Sequence, residues 1–228
     1  TSINRDKDLY LHKSYSIPGA NIIDRKIFDL DYGSLLFNYI IKPLVNFEYE
    51  QVISLDKAQV GTHIQFKDWQ IWSEREGLVL LNPNLVKNRL STVNPKNIGS
   101  GISNIQGNCW NGSFWNFEKQ WELEHIKSKE TQDFGDLMNP LLNVPENGKG
   151  LFWRTWIKGD YIYPIGMKGK KKISDILTDS KVPSCFRHQQ LLLSNSISSG
   201  EVYWIPGLQL SRNVKVDTEE KYIRFNEQ

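Results

Sequence analysis

Lys158-Gly159-Asp160-Tyr161-Ile162-Tyr163-Pro164-Ile165-Gly166-Met167-Lys168-Gly169-Lys170-Lys171-Lys172-Ile173 is the stretch whose reading decides the fold of the C-terminal part of the chain. Lys158-Gly159-Asp160 is turn chemistry, with Asp160 expected to cap the turn or pair with Arg154. Tyr161 to Pro164 then reads as a short extended run. Gly166 and Gly169 permit backbone conformations closed to other residues and leave little side chain in the way. They flank Lys168, Lys170, Lys171 and Lys172. Ile173, Ile176 and Leu177 repeat at helical spacing, which puts the lysines in or just before the first turn of a short amphipathic helix. A helix N-terminus already carries partial positive charge, so stability alone favours acids there. Cations beside free backbone N–H groups on a glycine-rich turn suit phosphate. A solvated basic loop is the plain alternative.

Outward from this stretch, a strand is expected around Leu151 to Ile157. Pro183 fits the first position of another helix running to about Gln190. Leu191 to Leu193, Val202 to Ile205 and Tyr222 to Phe225 read as strands, with Trp204 in the core. The module is α+β. Its candidate polyanion contacts are Lys168, Lys170, Lys171, Lys172, Lys181, Arg187, Arg154 and Lys158. Arg187 serves equally well as an ion pair at the core edge.

Upstream, Asp31 to Ala58 reads as a helix pair. Leu35, Leu36, Tyr39, Ile40 and Leu44 repeat at helical spacing, Asp31 can cap the first helix, and Pro43 ends or kinks it. The second helix, Glu48 to Ala58, should face Val52, Ile53 and Leu55 inward. Ile64 and Phe66, then Trp69, Ile71 and Ser73, alternate as strands. Glu74 to Gly77 turns and Leu78 to Leu81 extends, giving a small β-meander. Residues 82–113 hold eight asparagines with several glycines, serines and prolines, and read as a long loop. Trp121, Leu123 and His125 alternate again. The loop Asn139 to Gly150 is the expected domain boundary, giving modules 1–149 and 150–228.

The chain of 228 residues is long enough for one large or two small cores. Its net charge of +2 is unevenly spread. Residues 151–228 hold 12 Lys and Arg against 8 Asp and Glu, whereas residues 1–150 hold 16 against 18. Seven of those 12 cations lie between Arg154 and Lys181, a patch suited to a polyanion. Cys109 and Cys185 have no paired-ligand spacing and read as reduced thiols of a cytoplasmic protein. The scattered His12, His63, His125 and His188 make a metal site improbable. The longest apolar runs are too short to cross a bilayer, so no membrane role is expected.

The central stretch, followed by Arg187, Leu191-Leu192-Leu193, Val202-Tyr203-Trp204-Ile205-Pro206-Gly207 and Lys215-Val216-Asp217-Thr218, resembles the C-terminal domain of bacterial tRNA(Ile)-lysidine synthetases. That family carries an Arg, a Gly-Asp, a Pro-x-Gly, a Lys-Lys and a Lys-Val-Pro element in this order, and the agreement covers roughly the last 75 residues. Leu35 to Phe47, Gly61 and the strands through Leu80 are similar to the family's middle region. The resemblance departs at Gln209-Leu210-Ser211, where relatives place an arginine, which puts the role of Arg212 in question.

The resemblance implies a tRNA-binding module gripping the acceptor-stem side of tRNA(Ile). It also implies an enzyme that uses ATP to attach lysine to the wobble cytidine, changing AUG reading to AUA. The family's ATP and magnesium are held by an N-terminal domain with a Ser-Gly-Gly-x-Asp-Ser loop. Asn97-Ile98-Gly99-Ser100-Gly101-Ile102 is the nearest approach to that loop and lacks its key residues. No catalytic residue, cofactor or metal is therefore expected in these 228 residues, and the chain alone should be inactive. Lysine and ATP would be partners only through the other domain, and a homodimer is compatible with the reading.

A second class is open on aromatic content. Trp110, Phe114, Trp115, Phe117, Trp121, Trp153 and Trp156 could form a stacking platform for bases or sugars, and with Glu118, Glu122 and Glu124 nearby a carbohydrate-binding module or glycosidase fragment is conceivable. Burial of one strand face, with glutamates facing water, explains the same pattern more simply.

Overall fold

The structure, a computed structural model, describes residues 10–13, 20–41, 47–75, 77–82, 96–97, 104–110, 115–126, 136–143, 150–214 and 222–228. It is α+β, with short helices and three sheets. The chain packs as two compact units, Thr1–Arg89 with Pro183–Cys185, and Leu90–Val182 with Phe186–Gln228. The expected division at 149/150 thus falls inside the second unit.

In the first unit, strands β1 (Leu11–Lys13) and β2 (Ala20–Ile23) precede helices α1 (Gly33–Ile41) and α2 (Tyr49–Ile53). Strands β3 (His63–Phe66), β4 (Trp69–Ser73) and β5 (Leu78–Leu81) follow, as the alternation predicts. The sheet is antiparallel in the order β1-β2-β5-β4-β3. Its core joins Ile23, Ile27, Leu36, Phe37, Ile41, Val52 and Leu55 with Ile71, Leu78 and Leu80. The helices are shorter than expected. The first begins at Gly33, so Asp31 precedes it rather than capping it, and Pro43 lies outside the described residues. Glycine is required at its start, since a Cβ on Gly33 would lie 2.0 Å from the Ile27 carbonyl oxygen. The buried face is Leu36, Phe37 and Ile41, whereas Leu35 is 70% and Tyr39 47% exposed. The second helix buries Val52 and leaves Ile53 half-buried, and Leu55 is buried in the turn that follows. Arg25 ties helix to sheet, donating from Nη1 to Asp56 Oδ1 at 3.0 Å and from Nη2 to Ser73 Oγ at 2.8 Å.

The second unit holds two sheets. The first uses β6 (Lys96–Asn97), β10 (Phe152–Thr155), β11 (Tyr161–Ile162), β12 (Lys171–Lys172), β13 (Leu191–Ser194), β14 (Glu201–Ile205) and β15 (Gln209–Leu210). Their order is β12-β11-β14-β13-β10-β6, with β15 against β14. The second sheet, β7-β8-β16-β9, is built from β7 (Asn104–Trp110), β8 (Trp115–Ile126), β16 (Tyr222–Glu227) and β9 (Leu141–Asn143). The long loop expected over 82–113 is therefore corrected, because Asn104–Trp110 pairs antiparallel with β8 and buries Ile105 and Cys109. The helix expected from Pro183 to Gln190 is also corrected. That segment is a turn followed by a 3-10 helix at Arg187–Gln189.

Both sheets of this unit share one core centred on Trp121, Trp153 and Trp204, each fully buried. Their ring centroids lie 5.4–5.6 Å apart, with Trp121 edge-on to the other two, the arrangement that aromatic quadrupoles favour. A buried indole N–H left without a partner would cost about 1–3 kcal/mol. All three donate to backbone carbonyls, those of Met138, Gln106 and Leu137, at 2.9, 3.1 and 2.9 Å. Leu137 and Met138 belong to a turn organised by Asp136, whose Oδ1 accepts from the Met138 and Asn139 N–H groups. Partial burial pushes the Asp136 carboxyl up, but the hydrogen bonds from the Asn139 side chain and these two N–H groups outweigh it and hold its pKa below the ordinary value.

This core takes two members out of the aromatic platform. Trp121 and Trp153 are sealed inside, so no ligand can stack on them. The side chains of Trp110, Phe114, Trp115, Phe117 and Glu118 lie outside the described residues. Glu122 and Glu124 face water, where Glu124 pairs with Arg224 at 3.7 Å.

Candidate nucleic-acid interface

The turn at Lys158-Gly159-Asp160 carries the site. Arg154, on β10, reaches across it and meets the Asp160 carboxylate, Nη1 to Oδ2 at 2.8 Å and Nη2 to Oδ1 at 2.9 Å. Asp160 also accepts from the Ile157 and Gly200 N–H groups at 2.7 and 2.9 Å. Arg154 spends its other donors on the carbonyls of Thr155, Ser196 and Ser198 and on Ser194 Oγ. Arg154 is 1% exposed, with each guanidinium nitrogen donating to protein acceptors. It is therefore removed from the candidate polyanion contacts, since a phosphate could not reach it without unfolding the turn. Gly159 adopts a φ of +106°, and a Cβ there would crowd Ser199 at 3.2 Å.

Beyond the turn, β11 and β12 form a narrow ribbon in which Tyr161 faces Lys172 and Ile162 faces Lys171. Lys171 and Lys172 are thus strand residues. Helix α3 (Ile173–Asp179) begins immediately after them and buries Ile173, Ile176 and Leu177 as its spacing predicts. Its first turn carries an acid, Asp175, as the dipole favours. The connecting loop is open. Gly166 has a φ of +83°, Gly169 needs no positive φ, and a Cβ on either would meet nothing within 4 Å. Only the first of the two glycines is required by its backbone.

Between ribbon and helix lies a groove of about 660 Å³. Lys158, Lys170, Lys171 and Lys172 line it together with Trp156, Tyr161, Ser174 and Asp175. Lys171 is partly neutralised by Asp179, Nζ to Oδ2 at 2.5 Å. Lys170 holds its ammonium 4.7 Å from the Tyr161 ring centroid. Lys158, Lys168, Lys170 and Lys172 are exposed and, among the described residues, form no ion pair with a carboxylate. Lys168 lies on the loop outside the groove, beside the exposed Ile165 and Met167.

Lys181 is exposed at the far end of α3, in the left-handed region with a φ of +56°. Its N–H donates to Thr178 O and that of Val182 to Leu177 O, a Schellman closure in which glycine is the usual residue. Arg187 is half-buried and braces this closure, donating from Nε to Val182 O at 2.9 Å and from Nη1 to Thr178 Oγ1 at 3.2 Å. Its own carbonyl accepts the Trp156 indole N–H. Of the two readings open for Arg187, bracing is the one the geometry carries, and it leaves the candidate contacts. Arg212 gains a role as well. Its Nη1 holds the carbonyls of Met167 and Lys168 at 2.7 and 3.1 Å, and its guanidinium lies 5.2 Å from the Tyr163 ring centroid, so it pins the lysine-bearing loop. The family-like segment Lys215 to Thr218 lies outside the described residues.

Six candidate lysines remain, and with two aromatic walls and a pinned loop they give this α+β module a basic face. Residues 151–227 match the family described as the TilS substrate C-terminal domain. The chain is similar to the tRNA(Ile)-lysidine synthase of Dehalococcoides mccartyi, 32% identical over 82 residues that make up 36% of this chain and 17% of that protein. It is 41% identical over 64 residues to that of Symbiobacterium thermophilum, covering 28% of this chain and 13% of the relative. It is 43% identical over 58 residues to that of Bacillus subtilis, covering 25% and 12%. The matched stretches thus span less than a fifth of these relatives' lengths. A solved structure described as the crystal structure of the TILS C-terminal domain covers 59% of this chain and 97% of its own, with a TM-score of 0.43 and 18% identity.

Among the described residues no group of three His, Cys, Asp or Glu side chains could hold a metal ion. Cys109 and Cys185 are buried, and neither forms a disulfide among the described residues. Among the described residues no helix is long and apolar enough to cross a membrane.

Proposed function

We propose that this chain is the tRNA-recognition portion of a tRNA(Ile)-lysidine synthase, with residues 150–228 gripping the acceptor-stem side of tRNA(Ile). The observation that carries the reading is the lysine-lined groove, lying within the stretch that matches the TilS substrate C-terminal domain. A grip on one end of the tRNA orients the other end in a separate catalytic domain, and orientation of this kind lowers a barrier without a reacting group. ATP, magnesium and lysine are then ligands of that other domain, and the ligase works in the cytoplasm, where its tRNA is. The 228 residues alone bind tRNA but form no lysidine. A homodimer would double the grip without changing it.

Filter binding of a tRNA(Ile) transcript to the 228-residue chain tests the reading. Saturable binding that weakens steeply with salt is expected, together with no lysine-dependent AMP release from ATP. Absence of tRNA binding, or AMP release by the chain itself, would overturn it.

A further inference from the structure

Phosphate neutralisation accounts for the lysines of the groove but leaves its other walls unexplained. Tyr161 and Trp156 present two aromatic surfaces, and both are held in place. The Tyr161 ring stands edge-on to Tyr163, centroids 5.8 Å apart at 89°, and Tyr163 is backed by Arg212. The Trp156 indole is fixed through its N–H to the Arg187 carbonyl. A surface that only tracked phosphates would not need preordered rings, whereas a base gains by stacking on them. The volume of about 660 Å³ lies within the range of small-molecule sites, enough for a nucleotide but not for a helical stem.

The wall is also electrically uneven. Lys158, Lys170 and Lys172 line it together with the Asp175 carboxylate, whose Oδ1 accepts from Ser174 Oγ at 3.2 Å. The helix dipole explains why an acid is tolerated there. Its effect on a ligand is separate: a carboxylate repels phosphate and accepts a hydrogen bond from an exocyclic amine, as acids do from the cytosine amino group. Uracil has a carbonyl at that position and offers only repulsion.

We propose that the groove takes one unpaired nucleotide of the bound RNA and selects a base bearing an exocyclic amine. The base takes the place of the Lys170 ammonium on the Tyr161 ring and stacks there, its amine faces Asp175, and Lys158, Lys170 and Lys172 take the flanking phosphates. The inference rests on the RNA-binding reading above and names the part of the RNA that enters.

Fluorescence anisotropy of the full 228-residue chain with labelled short oligo(C) and oligo(U), beside the whole tRNA, separates the possibilities. These two pyrimidines differ mainly in the group at ring position four, so stacking is nearly matched. Oligo(C) should bind about fivefold more tightly, the lower end of what a base-edge contact discriminates. Asp175→Ala should bring the two oligomers to equal affinity. Tyr161→Ala should weaken both by about tenfold, and Tyr161→Phe should keep the ring and the affinity. Equal binding of both oligomers to the unaltered chain, or a difference that survives Asp175→Ala, overturns the proposal. If tRNA binds and neither oligomer does, the nucleotide site fails while the RNA-binding reading stands. If tRNA also fails to bind, both fall.

Discussion

The guanidinium of Arg154 and the carboxylate of Asp160 meet side by side, at 2.8 and 2.9 Å, inside the turn that shapes the basic groove. Removing one partner of a buried, hydrogen-bonded pair leaves the other charge uncompensated, which costs about 3–5 kcal/mol. Arg154→Ala and Asp160→Ala should each lower stability by that order in urea unfolding. Arg154→Lys keeps the charge but not the planar fork, so it should be nearly as damaging. A stable Arg154→Lys variant would show that charge, rather than the donor geometry, is what this position supplies.

Lys181 holds a left-handed conformation that costs a side-chain-bearing residue about 1 kcal/mol. Lys181→Gly should therefore raise stability by somewhat less, because the lysine's attraction to the helix C-terminus is also lost. If Lys181 also meets phosphate, the same change weakens tRNA binding. A variant both less stable and unaltered in binding would contradict the assignment of strain.

Counterion release tests the lysines one by one. Single alanines at Lys158, Lys168, Lys170 and Lys172 should each flatten the slope of log K against log salt by about 0.7–0.9 if each meets one phosphate. Lys171→Ala should change the slope less, since Asp179 already compensates that ammonium, and should cost at most about 1 kcal/mol as an exposed pair. Lys26, exposed in the other unit, serves as the control. Wild-type slopes for all four lysines would mean that the loop is merely solvated.

The tryptophan core makes the limits of the independently folding part testable. Residues 150–228 alone lose β7, β8 and β9, hence Trp121 and the strands on both sides of β16. That fragment should unfold without cooperativity and bind a hydrophobic dye, whereas residues 90–228 should show one sharp transition. Equal cooperativity of the two fragments would mean that the module closes its core without the second sheet.

What could be read from the sequence follows from how local each signal is. Strands β3 and β4 are legible because polar and apolar residues alternate within each, β5 because it is a continuous apolar run behind a turn, and α3 because its apolar spacing is complete within one turn and a half. Strand β7 is not, since Asn104, Gly107 and Asn108 have poor strand propensity and its described core residues are Ile105 and Cys109. The strand exists because β8 pairs with it, and the register shift near Gly107 disturbs its alternation. The lysines of the groove stand out because charges adjacent in sequence stay adjacent in space. Arg154 carries the same charge in the same stretch, yet its acceptors at Ser194, Ser196 and Ser198 lie some 40 residues away. Tyr161 is hidden for the opposite reason: a half-buried aromatic in a strand has the same spacing as a core residue.

Strand β16 lies between β8 and β9, although both precede it in the chain by many residues. A ribosome therefore releases the two flanking strands long before the one that belongs between them. Until Tyr222 to Glu227 emerge, β8 keeps an open edge along the register that β16 will occupy, beside the unfinished tryptophan core. A nascent chain in that interval is a natural client for chaperones, and a message truncated ahead of Tyr222 yields a product for proteases rather than a merely shorter protein.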